Sequence, residues 1–284
     1  MARQSALSVF LENGTTEQQL AEIYGAVIEN FGLLPVSMLL KNQQWSGNPE
    51  SGSVEFKRFE NAVSQAYGTA RTAGKGVNVK GKPITVNIDV DREIIEEISK
   101  KDVDAYGVPA ILVRRAVNHP ETMADDADVA FFEEAWNAGT KLTVTSTDTS
   151  GQIEELIVKL ATVQNDYVRG VRRDQMALVL TEALASALRL EIDLLPATDN
   201  AVAVGLYGRF HGVDVYTSQK MPDGVDAVIM VYGAIAQPFL IKDQYEAYRL
   251  QQSNDWSVDL FYSYGTQALT EDLIFYLGDE PSGS

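Results

Sequence analysis

Lys75 lies between Gly74 and Gly76, with Gly68 upstream, so this stretch has the glycines and lysine of a loop that cradles phosphate. Such a loop needs four residues between its glycines, Ser or Thr after the lysine to bind magnesium, and a strand running into a helix. Here five residues separate the glycines, Gly76 takes the magnesium position, and no strand-to-helix pattern surrounds them. Gly205, Gly208 and Gly212 lack dinucleotide-binding spacing and read as hairpin turns. His119 and His211 stand about ninety residues apart with no second ligand at i+3 or i+4, and read as surface or capping histidines. Asp125, Asp126 and Asp128 lack the glycine turn and distal Glu of a calcium loop; a helix N-terminus accounts for them. Glu96–Glu97 and Glu133–Glu134 are adjacent pairs whose side chains diverge on a helix. There is no G-x-S-x-G elbow. The sequence offers no catalytic constellation, no metal set and no cofactor site.

Charge says more than motif. The 284 residues carry a formal charge of −17, which repels polyanions and argues against sequence-specific DNA binding. Seven bases fall between Lys41 and Ile88 (Lys41, Lys57, Arg58, Arg71, Lys75, Lys80, Lys82) against three acids. After Arg249 there are six acids and neither Lys nor Arg. A basic arm on an acidic chain suits an arm lying across an acidic neighbour. With no cysteine, disulfides and thiolate metal sites are excluded. Residues 2–10 are too short and polar for a signal-peptide core, and no apolar run approaches the ~20 residues of a membrane span. The expectation is a protein made and kept in a cytoplasm.

The elements follow from periodicity and punctuation. Thr16 and Gln19 form a capping box ahead of a helix that stops at Gly32. Two extended legs, 54–59 and 77–88, enclose a glycine-dotted loop with little apolar content of its own. A loop of that length is uncommon unless functional, and its partner is expected on another copy of the chain. Asp91 is expected to cap a short helix holding Ile94, Ile95 and Ile98. Further helices are expected over 110–118, with Pro120 opening the next, and over 123–139. A strand is expected over 141–147, a helix from a capping box at Thr149 and Gln152, a buried strand at 176–180 and a helix at 184–190. Beyond Ala201 the pattern is β, with a turn through Gly208, runs at 202–206, 213–217 and 226–232, and two last strands, 257–264 and 269–277, paired through Gly265. The order is α+β rather than alternating βαβ.

Three stretches carry a resemblance: SVEFKRF…GKGVNVKGKPITVNIDV, ETMADDADVAFFEEAWNAG, and Gln152 to Phe239 with its GRFHGVDVYTSQKMPDG hairpin region. In their order they resemble the E-loop, the spine helix and the axial domain of tailed-bacteriophage major capsid proteins, the Johnson (Hong Kong phage) fold. The resemblance implies an N-terminal arm (1–45), an extended E-loop (46–92), a peripheral domain with a spine helix (93–148), an axial domain (149–242) and peripheral return strands with a tail (243–284). It further implies a non-enzymatic protein that assembles into hexamers and pentamers, forming an icosahedral shell around double-stranded DNA. The implied partners are copies of itself, a scaffolding protein, a portal and DNA held non-specifically, with no membrane. The implied location is the virion, after assembly in the host bacterial cytoplasm. Lys57, Arg58, Arg71, Lys75, Lys80 and Lys82 are then the inter-subunit contacts of the E-loop. Arg114, Arg115, Arg169, Arg172 and Arg173 are the clusters to test against DNA. Two other readings stay open here: a nanocompartment shell of the encapsulin type, and a soluble enzyme or binding protein with a lid loop.

Overall fold

The computed structural model describes residues 35–44, 49–64, 66–67, 78–98, 108–191, 195–196, 206–249 and 256–281. The helix expected from Thr16 and the Gly68–Gly76 stretch lie outside these residues.

A short helix, α1 (Val36–Leu40), leads to a hairpin of β1 (Ser53–Phe59) and β2 (Gly81–Asn87), followed by β3 (Val90–Ile98). The long helix α2 (Val108–Ala138) runs into the two-residue strand β4 (Thr140–Lys141) and then α3 (Thr149–Ala161). Next come β5 (Met176–Leu180), α4 (Glu182–Glu191), β6 (Leu195–Pro196), β7 (Leu206–Phe210), β8 (Val213–Thr217) and β9 (Val225–Val231). The chain finishes through β10 (Ile235–Ala236), β11 (Phe239–Arg249), β12 (Trp256–Tyr264), β13 (Gln267–Ala268) and β14 (Ile274–Gly278).

Among the described residues the main sheet has seven strands in the order β4-β14-β9-β5-β8-β7-β6. Its central strands are apolar without alternation because helices cover both faces. Met176, Leu178, Leu180, Ala227, Ile229, Phe275 and Leu277 pack with Ile153, Leu156, Ile157 and Leu160 of α3 and with Leu188 of α4. From the other face Ala177, Val179, Val228, Met230, Ile274 and Tyr276 meet Phe131, Phe132 and Ala135 of α2 and Leu40 of α1. Glu191, at the end of α4, accepts from the main-chain N–H of Thr149 and Ser150, satisfying two donors at the start of α3.

Several local expectations give way to tertiary pairing. Residues 90–98 form a strand and not a helix, because β12 offers them a complete antiparallel register from Val90↔Tyr264 to Ile98↔Trp256. Helix α2 is a single 31-residue element with Pro120 inside it. The lost hydrogen bond and ring clash of an interior proline cost roughly 3 kcal/mol. Fully buried Met123, Ala127, Phe131, Phe132 and Ala135 along the same helix offset that cost. Helix α3 is capped by Asp148, whose carboxylate accepts from Gly151 N–H at 3.0 Å; Gln152 turns back instead to the Ser146 carbonyl. The strand expected over 141–147 is only Thr140–Lys141, since Glu155 takes the donors of Thr145 and Ser146 that a ladder would use. The last two long strands do not form a hairpin: β12 lies between β11 and β3, and β14 between β4 and β9. The β7–β8 turn is at His211–Gly212, both with positive φ as a two-residue hairpin loop requires, while Gly208 sits within β7.

Candidate contact surface

The basic hairpin has two unlike faces. Along β1, Val54, Phe56 and Arg58 point inward; opposite them in register stand Val86, Ile84 and Lys82. Val54, Phe56 and Val86 are buried against Ala236 and Leu269, which fastens the inner half of the hairpin to the body. Glu55, Lys57 and Phe59 point outward. Phe59 is 57 % exposed, with its ring against Gly81, where a side chain would meet ring carbons at 3.0 Å. Further out, Val63 and Val79 are exposed at 64 % and 81 %. Exposed apolar groups grouped on one projection mark a contact surface more often than scattered ones do.

The six basic residues expected to make contacts fall into three groups. Lys57 and Lys80 are exposed and, among the described residues, make loose ion pairs to Glu55 (3.7 Å) and Glu60 (4.0 Å), of the kind that adds little stability. Lys82 is exposed on the wall of a crevice of about 570 Å³ between the hairpin and the body. Arg58 is engaged inside the chain. Its guanidinium makes two 2.7 Å bonds to the Asp272 carboxylate and lies 4.4 Å over the Tyr167 ring. Burial alone pushes the Asp272 carboxyl up, but the bonds from Arg58 and Asn165 outweigh it and hold the group below the usual carboxylate range. Arg71 and Lys75 lie outside the described residues.

An acidic surface lies on the three-stranded sheet β11-β12-β3. One face packs on α2. Leu260 and Tyr262 are buried there, the Tyr262 hydroxyl donates to Asp126 at 2.6 Å, and Glu96 pairs with His119 at 3.1 Å. On the other face the β3 edge is exposed at Asp91, Glu93, Ile95 and Glu97, while Ser257, Asp259 and Ser263 of β12 are buried. Phe261, opposite Glu93 in register, and Ile95 are 38 % and 50 % exposed. Acids thus surround an apolar pair on this sheet, and bases surround Phe59, Val63 and Val79 on the hairpin. This strip was missed because residues 91–98 read as a helix, which scatters these acids around its circumference.

Most of the remaining candidates make contacts within the chain. His119 is buried, not on the surface, and ties α2 to β3 through Glu96. His211 bonds Glu154 at 2.8 Å, and Glu154 also holds Arg173 at 2.5 Å. Arg172 pairs with Asp174 at 3.0 Å, and Arg169 donates to the Ala62 carbonyl at 2.5 Å. The side chains of Arg114 and Arg115 lie outside the description. Asp125, Asp126 and Asp128 lie mid-helix and not at an N-terminus, and each reaches a different element: Lys220, Tyr262 and α1. Among the described residues no group of three or more His, Asp or Glu could hold a metal ion, and no helix is long and apolar enough to cross a membrane.

No protein-family model and no curated protein matches the chain. Solved structures do. The chain is similar to a structure described as Mycobacterium phage Che8, with 18% identity, a TM-score of 0.56, and 85% of this chain and 94% of that one covered. It is similar to the head structure of Helicobacter pylori bacteriophage KHP40, with 9% identity, a TM-score of 0.62, and 88% and 91% covered. A third is the virus-like particle from Pyrococcus furiosus, with 10% identity, a TM-score of 0.54, and 90% and 98% covered. At such identities the likeness is one of fold. The α+β order expected from the sequence is the Johnson fold of phage capsid proteins.

Proposed function

We propose that this chain is the major capsid protein of a tailed phage, a non-enzymatic subunit that closes into an icosahedral shell of hexamers and pentamers around double-stranded DNA. The observation that carries this reading is a fold shared over 85% of the chain with a structure from Mycobacterium phage Che8 and over 88% with the head structure of Helicobacter pylori bacteriophage KHP40. In this reading residues 1–45 are the arm, 46–92 the E-loop, 93–148 and 243–284 the peripheral domain and tail, and 149–242 the axial domain. Copies of itself, a scaffolding protein and a portal are the protein partners, in the cytoplasm of a bacterial host and then in the virion.

The basic E-loop supplies contacts between subunits. Lys57, Lys80 and Lys82, with Arg71 and Lys75, meet the acidic strip Asp91, Glu93 and Glu97 of a neighbour, and Phe59, Val63 and Val79 cover Ile95 and Phe261. Opposite charges around an apolar centre set the register of such a contact more than its strength. A net charge of −17 keeps the wall from adhering to the packaged polyanion.

The test is negative-stain electron microscopy with light scattering on the purified chain, alone and co-expressed with its neighbouring genes. Closed particles or six- and five-fold rings are expected. A monomer under both conditions at high concentration overturns the reading. The likeness to a virus-like particle from Pyrococcus furiosus favours a second reading, a nanocompartment shell, which the particle contents decide: packaged DNA supports the phage, an enclosed protein the compartment.

A further inference from the structure

Arg58 stands at the last inward-facing position of β1, beyond the apolar contacts of Val54 and Phe56 and before the exposed outer leg. Two elements converge on it, the turn before β14 and the loop of residues 165–169. Asp272, in the turn before β14, takes both guanidinium nitrogens. Asn165 donates its side-chain amide to the same carboxylate, and its own carbonyl oxygen accepts from Tyr167 and Val168 N–H, so its orientation is set by its loop. Tyr167 stacks on the guanidinium. Two ties to the hairpin's main chain follow: Asn61 N–H donates to the Asp166 carbonyl at 2.8 Å, and the Arg169 guanidinium donates to the Ala62 carbonyl. Past Ala62 the exposed outer leg begins, with Val63 already at 64 %.

The inner half of the hairpin is fastened by apolar packing without Arg58. The clamp therefore adds direction more than attachment. A tilt of ~10° at Arg58 moves a point six extended residues further out, ~20 Å away, by roughly 3–4 Å, more than a register of opposed charges tolerates. We propose that Arg58, clamped by Asp272, Asn165 and Tyr167, is a positioning residue that fixes the angle at which the hairpin leaves the seven-stranded unit, and so determines where its tip meets the next copy. Only the consequence for the next copy rests on the shell reading; the angle belongs to the single chain.

The chain has no cysteine, so Val79→Cys with Val158→Cys, both positions exposed, accepts a pair of spin labels. Pulsed electron paramagnetic resonance on that pair is expected to give one narrow distance distribution. Arg58→Ala and Asp272→Asn are expected to widen it at least twofold, with the thermal midpoint nearly unchanged. Arg58→Lys, which keeps the charge but loses the two-pronged bond, falls between. Loss of charge-assisted bonds is also expected to speed amide exchange at Asn61 by roughly tenfold to a hundredfold. In assembled material the same variants give particles of mixed diameter. If Arg58→Ala fails to fold, Asp272→Asn decides. An unchanged distribution in both variants, or widening only in step with loss of the fold, overturns the proposal. Absence of particles from the unsubstituted chain overturns the shell reading and leaves the distance measurement valid.

Discussion

The carboxylate of Asp128, midway along α2, accepts the main-chain N–H of Ser37 at 2.9 Å and of Val36 at 3.2 Å, capping α1 from 91 residues away. The first residues of a helix have N–H groups with no partner inside it, and the residue before α1 is Pro35, which makes no side-chain cap bond. A buried acid on another element does the capping. Burial pushes the Asp128 carboxyl up and the bonds from Ser37 and Val36 pull it down; the net direction is up.

Replacing Asp128 with Ala leaves two buried donors unmet, and the expected loss is about 2–3 kcal/mol of stability. Asp128→Asn keeps one acceptor oxygen and is expected to lose about half as much. Urea unfolding of the three proteins side by side checks the order. Equal stability of Asp128→Ala and the unsubstituted chain contradicts the capping account.

That bond also marks where reading the sequence stopped. The three acids were legible as a cluster, and their adjacency suggested a helix start, yet each acts at long range on a different element. The central strands of the main sheet were legible because MALVL and AVIMV are apolar without a break, and only burial on both faces explains that. Strand β3 was not legible: the local spacing of Ile94, Ile95 and Ile98 suits a helix, and only the ladder with β12 overrides it. The basic character of the hairpin was plain in composition. Arg58 could not be told from Lys57 until the two-residue period of β1 placed one facing in and the other out.

Reversing the outward charges tests the contact between copies. Lys57→Glu, Lys80→Glu and Lys82→Glu together are expected to abolish assembly and to leave the monomer's thermal midpoint within about 2 °C, since exposed pairs contribute little to folding. Asp91→Lys, Glu93→Lys and Glu97→Lys in the same chain are expected to restore particles. Assembly by the unsubstituted chain is expected to weaken from 0.1 to 1 M salt, as the screening length falls from about 10 to 3 Å. Light scattering reads each case. Failure of the compensating set to restore particles removes β3 as the acceptor.

Gly265 and Gly52 separate two reasons for a glycine. A side-chain carbon at Gly265 would lie 1.7 Å from the Asn87 carbonyl oxygen, so the backbone between β2 and β3 can pass only if nothing is there. Gly52 has φ +84 and open space around it. Gly52→Ala is expected to cost about 1 kcal/mol from backbone strain alone. Gly265→Ala is expected to cost more than about 3 kcal/mol, or to give insoluble protein, because two strands must move apart. Denaturant midpoints compare them, and equal costs refute the distinction.

Lys41 gives the chain an alkaline signature. Its amine donates to the Gln237 carbonyl at 3.1 Å and lies 5.4 Å over the Phe239 ring, and burial pulls its pKa down to about 8. In the unfolded chain a lysine titrates near 10.4. Between those values the unfolded state holds more protons than the folded one, so stability rises with pH through that window and is lower below it, where the buried amine is charged. A free-energy gain of at least about 1 kcal/mol from pH 7.5 to 10 is expected on this group's account, part of the full shift being offset by water reaching the site. Lys41→Met is expected to flatten the profile over the same window. Guanidinium unfolding at half-unit pH steps measures both chains; parallel profiles place the amine in water and remove Lys41 as the source.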